Sequence, residues 1–593
     1  PRRTAAAYPP RKASPLPTVI SGAISGSGNL NKLGSGIMVL SGTNTFGGTG
    51  QAVVVGAGTL SVSADAQLGA SANTVTMAGG TLLASADFSS SRSMVLTDAA
   101  SSVAVANTFT LTWDGVVSGT GLFTKAQAGS LVLTAANTYT GDTTVGAGTL
   151  VVSNATALGT TAGGTSVSSG ASLQIGAVAV AGETLTLNGT GVGGNGALLG
   201  SGTGSWSGTI ALVADSSLGG TGNTTTLSGS ISGGFNLTKV GTGTFSLGAI
   251  NTFTGTTTVS NGTLAITNAK ALGGFASGTS VTAGATLRID AVMVIGEALT
   301  LNGTGVGALG ALTASGDGGW TGTIALGSDS SIGGTGNTTL LSGIISGGFA
   351  LSKEGTGTYT VTATNTYTGA TTINAGTLVT GNIQGTGTTA GGVTVANGAT
   401  LAIDGVAVST EALSVRGTGV GGLGALVGMK TGSWAGTIDL PADATLGGTA
   451  NTTSLTGVMS GAGGIIKIGS GLFDVNSTTS SFTGNVTISA GTLRASNSVT
   501  ISANGPFGNT ANDVILNGGT LCLNAAAFTR NITVSGDGSA IIANGAARTL
   551  AGNITTIGAR SLTLGGTAFG LTFGALNDGT GSLSISVLSY VQI

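Results

Sequence analysis

Apolar residues alternate with small polar residues in short stretches along most of this chain. Typical stretches are TFSL at 244–247, TTTV at 256–259, TLAI at 263–266, TLRI at 286–289 and ALTL at 298–301. Alternation with a period of two is typical of a β-strand with one buried face, and the glycines and asparagines between stretches suit tight corners. We find no long segment with the 3.6-residue apolar period of a helix. The pattern predicts an all-β protein with almost no helix.

The spacing of the stretches predicts a coil of parallel strands. TFSL begins at position 244, TLAI at 263 and TLRI at 286, so similar strands follow one another at short and nearly regular intervals. Strands this short and this closely spaced cannot build a sandwich, but each can pair in parallel with the strand one coil below. Crossovers between parallel strands are right-handed. At about 4.8 Å per rung, we expect a right-handed parallel β-helix (β-solenoid) rod of roughly 25–30 rungs.

A longer repeat organises the chain. LTKVGTGTFSLGAINTFTGTTTVSNGTLAI at 237–266 returns at 351–379, has an earlier copy at 123–152, and has degraded copies at 30–62 and 466–493. The motif lysine recurs at intervals of 93, 114, 114 and 114 positions, and the motif aromatic keeps nearly the same intervals. The lysines are Lys32, Lys125, Lys239, Lys353 and Lys467, and the aromatics are Phe46, Tyr139, Phe253, Tyr367 and Phe482.

The repeat divides the chain into six segments. We expect five or six rungs in each of the long repeat units. The segments are a basic, proline-rich arm or linker at 1–17, a short solenoid unit at 18–125, three long repeat units at 126–239, 240–353 and 354–467, and a terminal solenoid unit at 468–593.

The composition excludes several classes of function. Charged residues are 6% of the chain, against about 25% in most proteins. The net charge is −2, so no basic face for nucleic acid is expected. No apolar run approaches the roughly 18 residues of a membrane-spanning helix. The single cysteine, Cys522, alternates as a strand residue, and we interpret it as a buried thiol, with a crosslink between chains as the alternative.

The chain offers little catalytic chemistry. It has no histidine, which excludes Ser-His-Asp nucleophiles and histidine metal sites, and no cofactor is expected. Its recurring carboxylates repeat once per long unit, about 25 Å along a solenoid, so members of one column cannot form a single site. Members of different columns can still meet across neighbouring rungs. We expect no enzyme, and a polysaccharide-degrading β-helix enzyme is the remote alternative. The columns are Glu183, Glu297 and Glu411, then Asp215, Asp329 and Asp443, and then Asp290 and Asp404.

Other repeated residues have two interpretations each. The motif lysines are either a row of cations for a glycan or lipid surface or solvated corner residues. The tryptophans Trp206, Trp320 and Trp434 either stack on carbohydrate or fill a wide corner of the core. The aromatic of NT[FY]TG is expected to pack at a rung corner, with the asparagine satisfying backbone groups in the turn. The glycine-rich GTGVGG at 189–194 lacks the following helix of a dinucleotide loop, so we interpret it as a corner.

The motif LxKxGxGTxxL…NTYTGxTTVxxGTLxV resembles the autotransporter-associated β-strand repeat. The resemblance extends over nearly all of the chain after residue 17. It implies a right-handed parallel β-helix displayed on the bacterial cell surface, as a passenger region. We do not expect a translocator barrel of the family's kind within this chain. The repeat implies an architecture, because passengers of this family include both adhesins and structural fibres.

Two functions follow from these observations. The first is an extracellular structural solenoid, as a subunit of a surface fibre or as a stiff stalk, acting by mechanical scaffolding and self-association. The apolar, uncharged LSISVLSYVQI at 583–593 suggests a solenoid end that further chain or another subunit covers. The second is a passenger segment of an adhesin that binds host cells or glycans. The expected partners are therefore other copies of the chain, through the termini, and glycans or cell surfaces.

Overall fold

The structure is a computed structural model, and it falls into two compact units. Unit 1 is 1–257 with 270–274, and unit 2 is 258–269 with 275–593. The structure describes residues 16–98, 101–222, 224–335, 338–449, 452–500, 503–524, 527–546, 548–566, 571–577, 583–587 and 591–592. Most of the proline-rich arm predicted at 1–17 therefore lies outside the described residues.

The described residues form a parallel β-solenoid of about 26 turns, with 2% helix. The prediction of an all-β parallel solenoid is confirmed. The helices are single 3₁₀ turns at Asp65–Leu68, Val192–Gly194, Val306–Ala308 and Val420–Gly422. The last three are the GTGVG corners, so this glycine-rich sequence is a turn and no helix continues from it. In the part of the chain that is described, no helix reaches the length and hydropathy needed to cross a membrane.

In unit 1, strands one coil apart pair in parallel along the stack. Phe123 pairs with Thr143, Thr143 with Thr165, Thr165 with Leu185, and Leu185 with Ile210. The longest of these steps, the last, contains the GTGVG corner, which adds residues to its rung. The strands of this repeat are Phe123–Ala126, Ser130–Leu133, Thr143–Val145, Gly148–Val152, Thr165–Val167, Ala171–Ile175, Ala179–Val180, Leu185–Leu187, Leu198–Gly200, Gly204–Trp206, Ile210–Leu212, Ser216–Gly220, Thr224–Leu227, Ile231–Gly233 and Leu237–Lys239.

Unit 2 repeats the same construction. Thr358 pairs with Thr377 and Thr377 with Thr400, and these offsets equal those between positions 244, 263 and 286 in the preceding copy. Bulges occur where the long strand Ile324–Thr335 bends around a corner. The strands that correspond to those given for unit 1 are Leu351–Lys353, Thr358–Val361, Thr371–Ile373, Thr377–Thr380, Val393–Val395, Thr400–Ile403, Ala407–Val408, Leu413–Val415, Leu426–Gly428, Gly432–Trp434, Ile438–Asp439, Ala444–Gly448, Thr452–Leu455, Met459–Ser460 and Ile465–Lys467.

The remaining strands belong to the first unit, the second long repeat and the terminal unit, and they follow the same pattern. The first unit predicted from the sequence contains Thr18–Ile20, Leu30–Lys32, Ile37–Leu40, Ala52–Val55, Thr59–Val62, Thr74–Met77, Thr81–Ala84, Phe88–Ser90, Met94–Leu96, Ser102–Val105, Thr110–Trp113 and Val117–Gly119. The second long repeat contains Thr244–Leu247, Thr257–Val259, Thr263–Ile266, Thr279–Val281, Thr286–Asp290, Met293–Val294, Leu299–Gly303, Leu312–Ser315, Gly318–Trp320, Ile324–Thr335, Thr338–Leu341 and Ile345–Ser346. The terminal unit contains Leu472–Val475, Val486–Ile488, Thr492–Ala495, Val514–Asn517, Thr520–Leu523, Ala527–Phe528, Ile532–Gly536, Ser539–Ala543, Arg548–Thr556, Arg560–Gly566, Leu571–Asn577, Leu583–Val587 and Val591–Gln592.

The core consists of inward-facing aliphatic residues stacked rung on rung. In the strand Thr286–Asp290, Leu287 and Ile289 are fully buried, and each faces an aliphatic residue of the preceding strand. Each buried leucine or isoleucine side chain contributes about 1.5–3 kcal/mol to folding. Cys522 is also buried, but it alternates with the inward-facing Leu521 and Leu523 and lies in register with Arg494. Burial raises the pKa of its thiol.

Candidate functional site: the corners of the repeat

Each copy of the motif buries its lysine. In the strand Leu351–Lys353 the leucine and the lysine both face inward, and Lys353 is 1% exposed. Its Nζ donates to the carbonyl oxygens of Glu354 at 2.9 Å, Gly355 at 2.9 Å and Ala375 at 3.1 Å. Ala375 lies after the strand that pairs with the lysine's own strand, one rung further on. The ammonium therefore fastens the corner of one rung to that of the next, with one acceptor for each of its three donors.

The other copies repeat this arrangement. Lys125 donates to the carbonyl oxygens of Ala126, Gln127 and Ala147, at 2.9, 2.6 and 3.0 Å. Three lysines also lie over an aromatic ring, 5.5–6.0 Å from its centroid: Lys239 over Phe245, Lys353 over Tyr359 and Lys467 over Phe473. Burial lowers the pKa of four of the ammonium groups to about 8: Lys125, Lys239, Lys353 and Lys467.

The structure differs here from both interpretations of the lysine column. The five lysines are at most 7% exposed, so they form neither solvated corners nor a cationic row on the surface. The motif itself indicates that the lysine is buried. In LxK, the lysine follows the buried leucine by two positions, and residues two apart share one face of a strand.

The asparagine of the motif joins three successive rungs. Oδ1 of Asn365 accepts from the backbone N–H of Ile345 at 2.8 Å, and Nδ2 donates to the carbonyl oxygen of Gly385 at 2.7 Å. One partner lies a rung before the asparagine and the other a rung after it. Asn44, Asn137 and Asn251 make the same pair of bonds, and Ser480, in the fifth copy, accepts from the N–H of Met459 at 2.9 Å.

The aromatic of the motif packs inside the corner next to this asparagine. Tyr139, Phe253, Tyr367 and Phe482 are all fully buried. The two tyrosine hydroxyls lie 2.6 Å from the hydroxyls of Thr143 and Thr371, in the strand that follows each corner. Burial raises the pKa of both tyrosines, so their hydroxyls stay protonated.

A model of a known protein family matches the five stretches of sequence that form these corners. The passenger-associated-transport-repeat family matches residues 30–62, 123–152, 237–266, 351–379 and 465–495. The chain carries five passenger repeats. Together with the parallel solenoid, they indicate an autotransporter passenger-type extracellular protein. The chain has no significant match among curated proteins or among solved structures.

Between passenger repeats, a second kind of corner buries a glutamate. Glu297 is 1% exposed, and its Oε1 accepts from the Thr279 hydroxyl at 2.9 Å, whereas Oε2 has no hydrogen-bond partner in the described part of the chain. A Cβ at Gly322, one rung further on, would lie 1.8 Å from the Glu297 carbonyl oxygen, so only glycine fits there. Glu183 and Glu411 repeat the site, with hydroxyl donors from Thr165 at 2.8 Å and Thr386 at 2.6 Å.

Burial raises the pKa of all three glutamates to about 7. The charged and titratable groups that act on them are few: Asp142 raises the pKa of Glu183 further, and Tyr139 and Tyr367 lie near Glu183 and Glu411. No cation is among the causes of these shifts, and the raised pKa favours the neutral carboxyl at pH values well below 7.

The tryptophans belong to the same corners. Trp206, Trp320 and Trp434 are fully buried, and each pairs with an aliphatic residue on the rungs before and after it. Nε1 of Trp320 donates to the Glu297 carbonyl oxygen at 2.8 Å, and Nε1 of Trp434 donates to that of Glu411 at 2.8 Å. The structure differs from the carbohydrate-stacking interpretation, because a fully buried indole has no face for a sugar ring. They fill the core.

In the first and the terminal units, the position of the buried glutamates is occupied by arginine, which was not recognised from the sequence. The structurally equivalent residues are Arg92, Glu183, Glu297, Glu411 and Arg530, because each lies two positions before a strand and has a glycine packed against its carbonyl oxygen one rung further on. Those strands are Met94–Leu96, Leu185–Leu187, Leu299–Gly303, Leu413–Val415 and Ile532–Gly536. The sequence does contain a signal for it, because residues 73–105 resemble residues 512–541 of the terminal unit and both segments include the arginine.

The arginines bind the preceding corner directly. Nε of Arg92 donates to Oδ1 of Asp65 at 2.8 Å, and its Nη2 donates to the Gly69 carbonyl oxygen at 2.8 Å. Nη1 of Arg530 donates to the Phe507 carbonyl oxygen at 2.8 Å, and no carboxylate pairs with it among the described residues. Burial lowers the pKa of Arg530 to about 10.

The recurring carboxylates lie in three different settings. The glutamates are inside the core, whereas Asp215, Asp329 and Asp443 are on the surface and accept from backbone N–H groups of the next rung. Asp290 and Asp404 form ion pairs with Arg288 and Lys430, both at 2.8 Å. Within the described residues, no group of three metal-ligating side chains is present. The polar side chains at these corners form hydrogen bonds that join neighbouring rungs.

Proposed function

We propose that the protein is a non-enzymatic mechanical element outside the cell, as a stiff stalk or as a subunit of a surface fibre. The observation that supports this proposal is the use of polar side chains inside the repeat. Lysine, asparagine, threonine and glutamate recur at fixed register, and their hydrogen bonds connect one rung to another. Such bonds resist separation and shear of the rungs, because each must break in a buried setting where water cannot replace it at once.

Self-association is part of the proposal. Among the described residues, Thr18–Ile20 pairs only with Ile37–Leu40, and no other described strand covers its second edge. Val19 in this strand is 58% exposed, and nearby Leu33 is 68% exposed. An open strand edge with apolar side chains can be extended by another strand, from a second copy or from further chain. The low charge of the chain opposes association between copies only weakly.

Electron microscopy of the isolated chain at increasing concentration tests self-association. We expect end-to-end filaments that become shorter or fewer in Val19→Lys, because a charge at the open edge disfavours pairing there. Ser27→Lys, which places the same charge at an exposed turn residue, is the matched control and should assemble normally. Separate particles at every concentration would refute self-association and leave the stalk as the structural function.

The alternative proposal is a passenger segment of an adhesin. Buried tryptophans give it no support, so a ligand would have to bind elsewhere on the surface. Saturable binding of the whole chain to cells or immobilised glycans would favour it. Turnover of a polysaccharide panel, lost on substitution of exposed carboxylates, would instead favour the remote enzyme alternative.

A further inference from the structure

A cleft of about 650 Å³ opens on unit 2 beside the third GTGVG corner. The backbone fixes its walls: the Gly417 N–H donates to the Asp443 carbonyl oxygen at 2.7 Å, and the Thr445 N–H donates to the Gly417 carbonyl oxygen at 2.9 Å. The side chains that line it are those of Asn397, Arg416, Thr418, Ala442, Asp443, Thr445 and Ile466. The cleft is therefore built on paired rungs, with one cation, one carboxylate, several neutral hydrogen-bonding groups and two apolar residues.

Arg416 differs from the other arginines of the described residues. It is exposed, and its guanidinium makes no hydrogen bond or ion pair within the part of the chain that the structure describes. The other described arginines each have a partner: Arg92, Arg288, Arg494, Arg530, Arg548 and Arg560. Arg416 therefore contributes a free planar cation to the cleft.

The repeat itself does not require this arginine. The first two long repeats have LNGTG, with Asn188 and Asn302 at the equivalent position, and the third has VRGTG. Nδ2 of Asn302 is held by the Val281 carbonyl oxygen at 2.9 Å. A compact, bonded amide is thus replaced by a long, unbonded cation in one repeat, in a chain in which only 6% of residues are charged. An architectural role does not account for the change.

We propose that the cleft beside Arg416 binds a sugar that carries an anionic group, a carboxylate or a sulfate. A guanidinium binds either group through two parallel hydrogen bonds. Asn397, Thr418 and the Asp443 carboxylate supply donors and acceptors for hydroxyl groups around that anchor, and Ile466 offers an apolar surface to the C–H face of a ring. The proposal is independent of the structural function above, because a stalk or fibre subunit can carry such a site.

Calorimetric titration of the full chain tests the site with three probes of similar length: an oligogalacturonate, a sulfated galactose oligomer and a neutral galactose oligomer. We expect saturable binding of at least one anionic oligomer, weakened by salt, with tenfold or more loss of affinity in Arg416→Asn. This variant should fold normally, because asparagine occupies the position in two repeats. The two anionic probes distinguish a carboxylate ligand from a sulfate ligand.

Lys430→Met is the matched control, since it removes an exposed cation that does not line the cleft. It should leave the affinity unchanged. An equal loss in Lys430→Met would mean nonspecific attraction by charge and would overturn the proposal. Equal binding of the neutral oligomer, or no binding of either anionic one, would overturn it as well.

Discussion

At the scale of single residues, the motif lysine is the clearest case of a charged group with a structural role. A buried ammonium is costly unless it is hydrogen-bonded, and here three backbone carbonyls accept its three donors. Those carbonyls belong to tight corners, where no strand is available to pair with them. The lysine side chain therefore compensates for a defect that the corner itself creates.

Replacing Lys353 by methionine tests this account. Methionine keeps much of the side-chain volume but leaves three buried carbonyls without a donor, so we expect a loss of about 2–4 kcal/mol in the free energy of unfolding. Urea denaturation measures it. Lys430→Met, at a lysine whose side chain is 65% exposed, should change stability by less than about 1 kcal/mol. Similar losses at the two positions would contradict the structural role of the buried lysine.

At the scale of the rung, the motif asparagine determines how successive coils are joined. Strands pair in parallel along each face, and at the motif corner a few backbone bonds, such as that from the Thr366 N–H to the Ile345 carbonyl oxygen at 2.8 Å, also join the rungs. The Asn365 side chain adds two bonds to these, because it accepts from the rung before it and donates to the rung after it. Each rung is thereby hydrogen-bonded to both neighbouring rungs at the corner, by backbone and side chain together.

Two substitutions of Asn365 distinguish the contributions of its two hydrogen bonds. Alanine loses both and leaves a buried N–H and a buried carbonyl unpaired, with an expected cost of about 2–4 kcal/mol. Serine should retain the bond from the Ile345 N–H, as Ser480 does for Met459 in the fifth copy, and should cost about half as much. Hydrogen exchange at the Ile345 amide provides the readout. Equal protection in the alanine and serine variants would exclude the proposed bridge.

At the scale of the whole molecule, the repeats differ in the charge that they bury at one position. The three long repeats bury a glutamate, and the flanking repeats bury an arginine. The glutamate pKa rises from 4.5 to about 7, so the folded long repeats bind protons that the unfolded chain releases between these pH values. Stability should therefore fall as pH rises through this range.

Thermal unfolding at pH 5 and pH 7 checks this prediction. The wild-type protein should be more stable at pH 5, by about 2 kcal/mol for each glutamate. The triple variant Glu183→Gln, Glu297→Gln and Glu411→Gln should lose most of this dependence, because an amide does not titrate. The buried lysines do not interfere below pH 7, since their lowered pKa of about 8 keeps them charged in both states there. An unchanged pH dependence in the triple variant would mean that other groups cause it.

The sequence by itself determined the strands, the parallel coil and its period. Each rung repeats the same local signals, namely alternation within the strand and glycine or asparagine at the corner, and pairing between successive rungs is nearly local along the chain. The spacing between TFSL, TLAI and TLRI in one copy reappears in the strand register of the next. The passenger motif was likewise recognisable, because five copies within this one chain keep nearly the same register.

Only the tertiary structure decided where the polar residues of the repeat lie. Lys353, Glu297 and Trp320 all have side chains that suit a surface site, and all three are buried. Their position depends on acceptors and donors that neighbouring rungs supply, which composition and spacing do not reveal. The structure likewise separated Arg416 from the other arginines, because whether a cation is free depends on which side chains the fold brings within its reach.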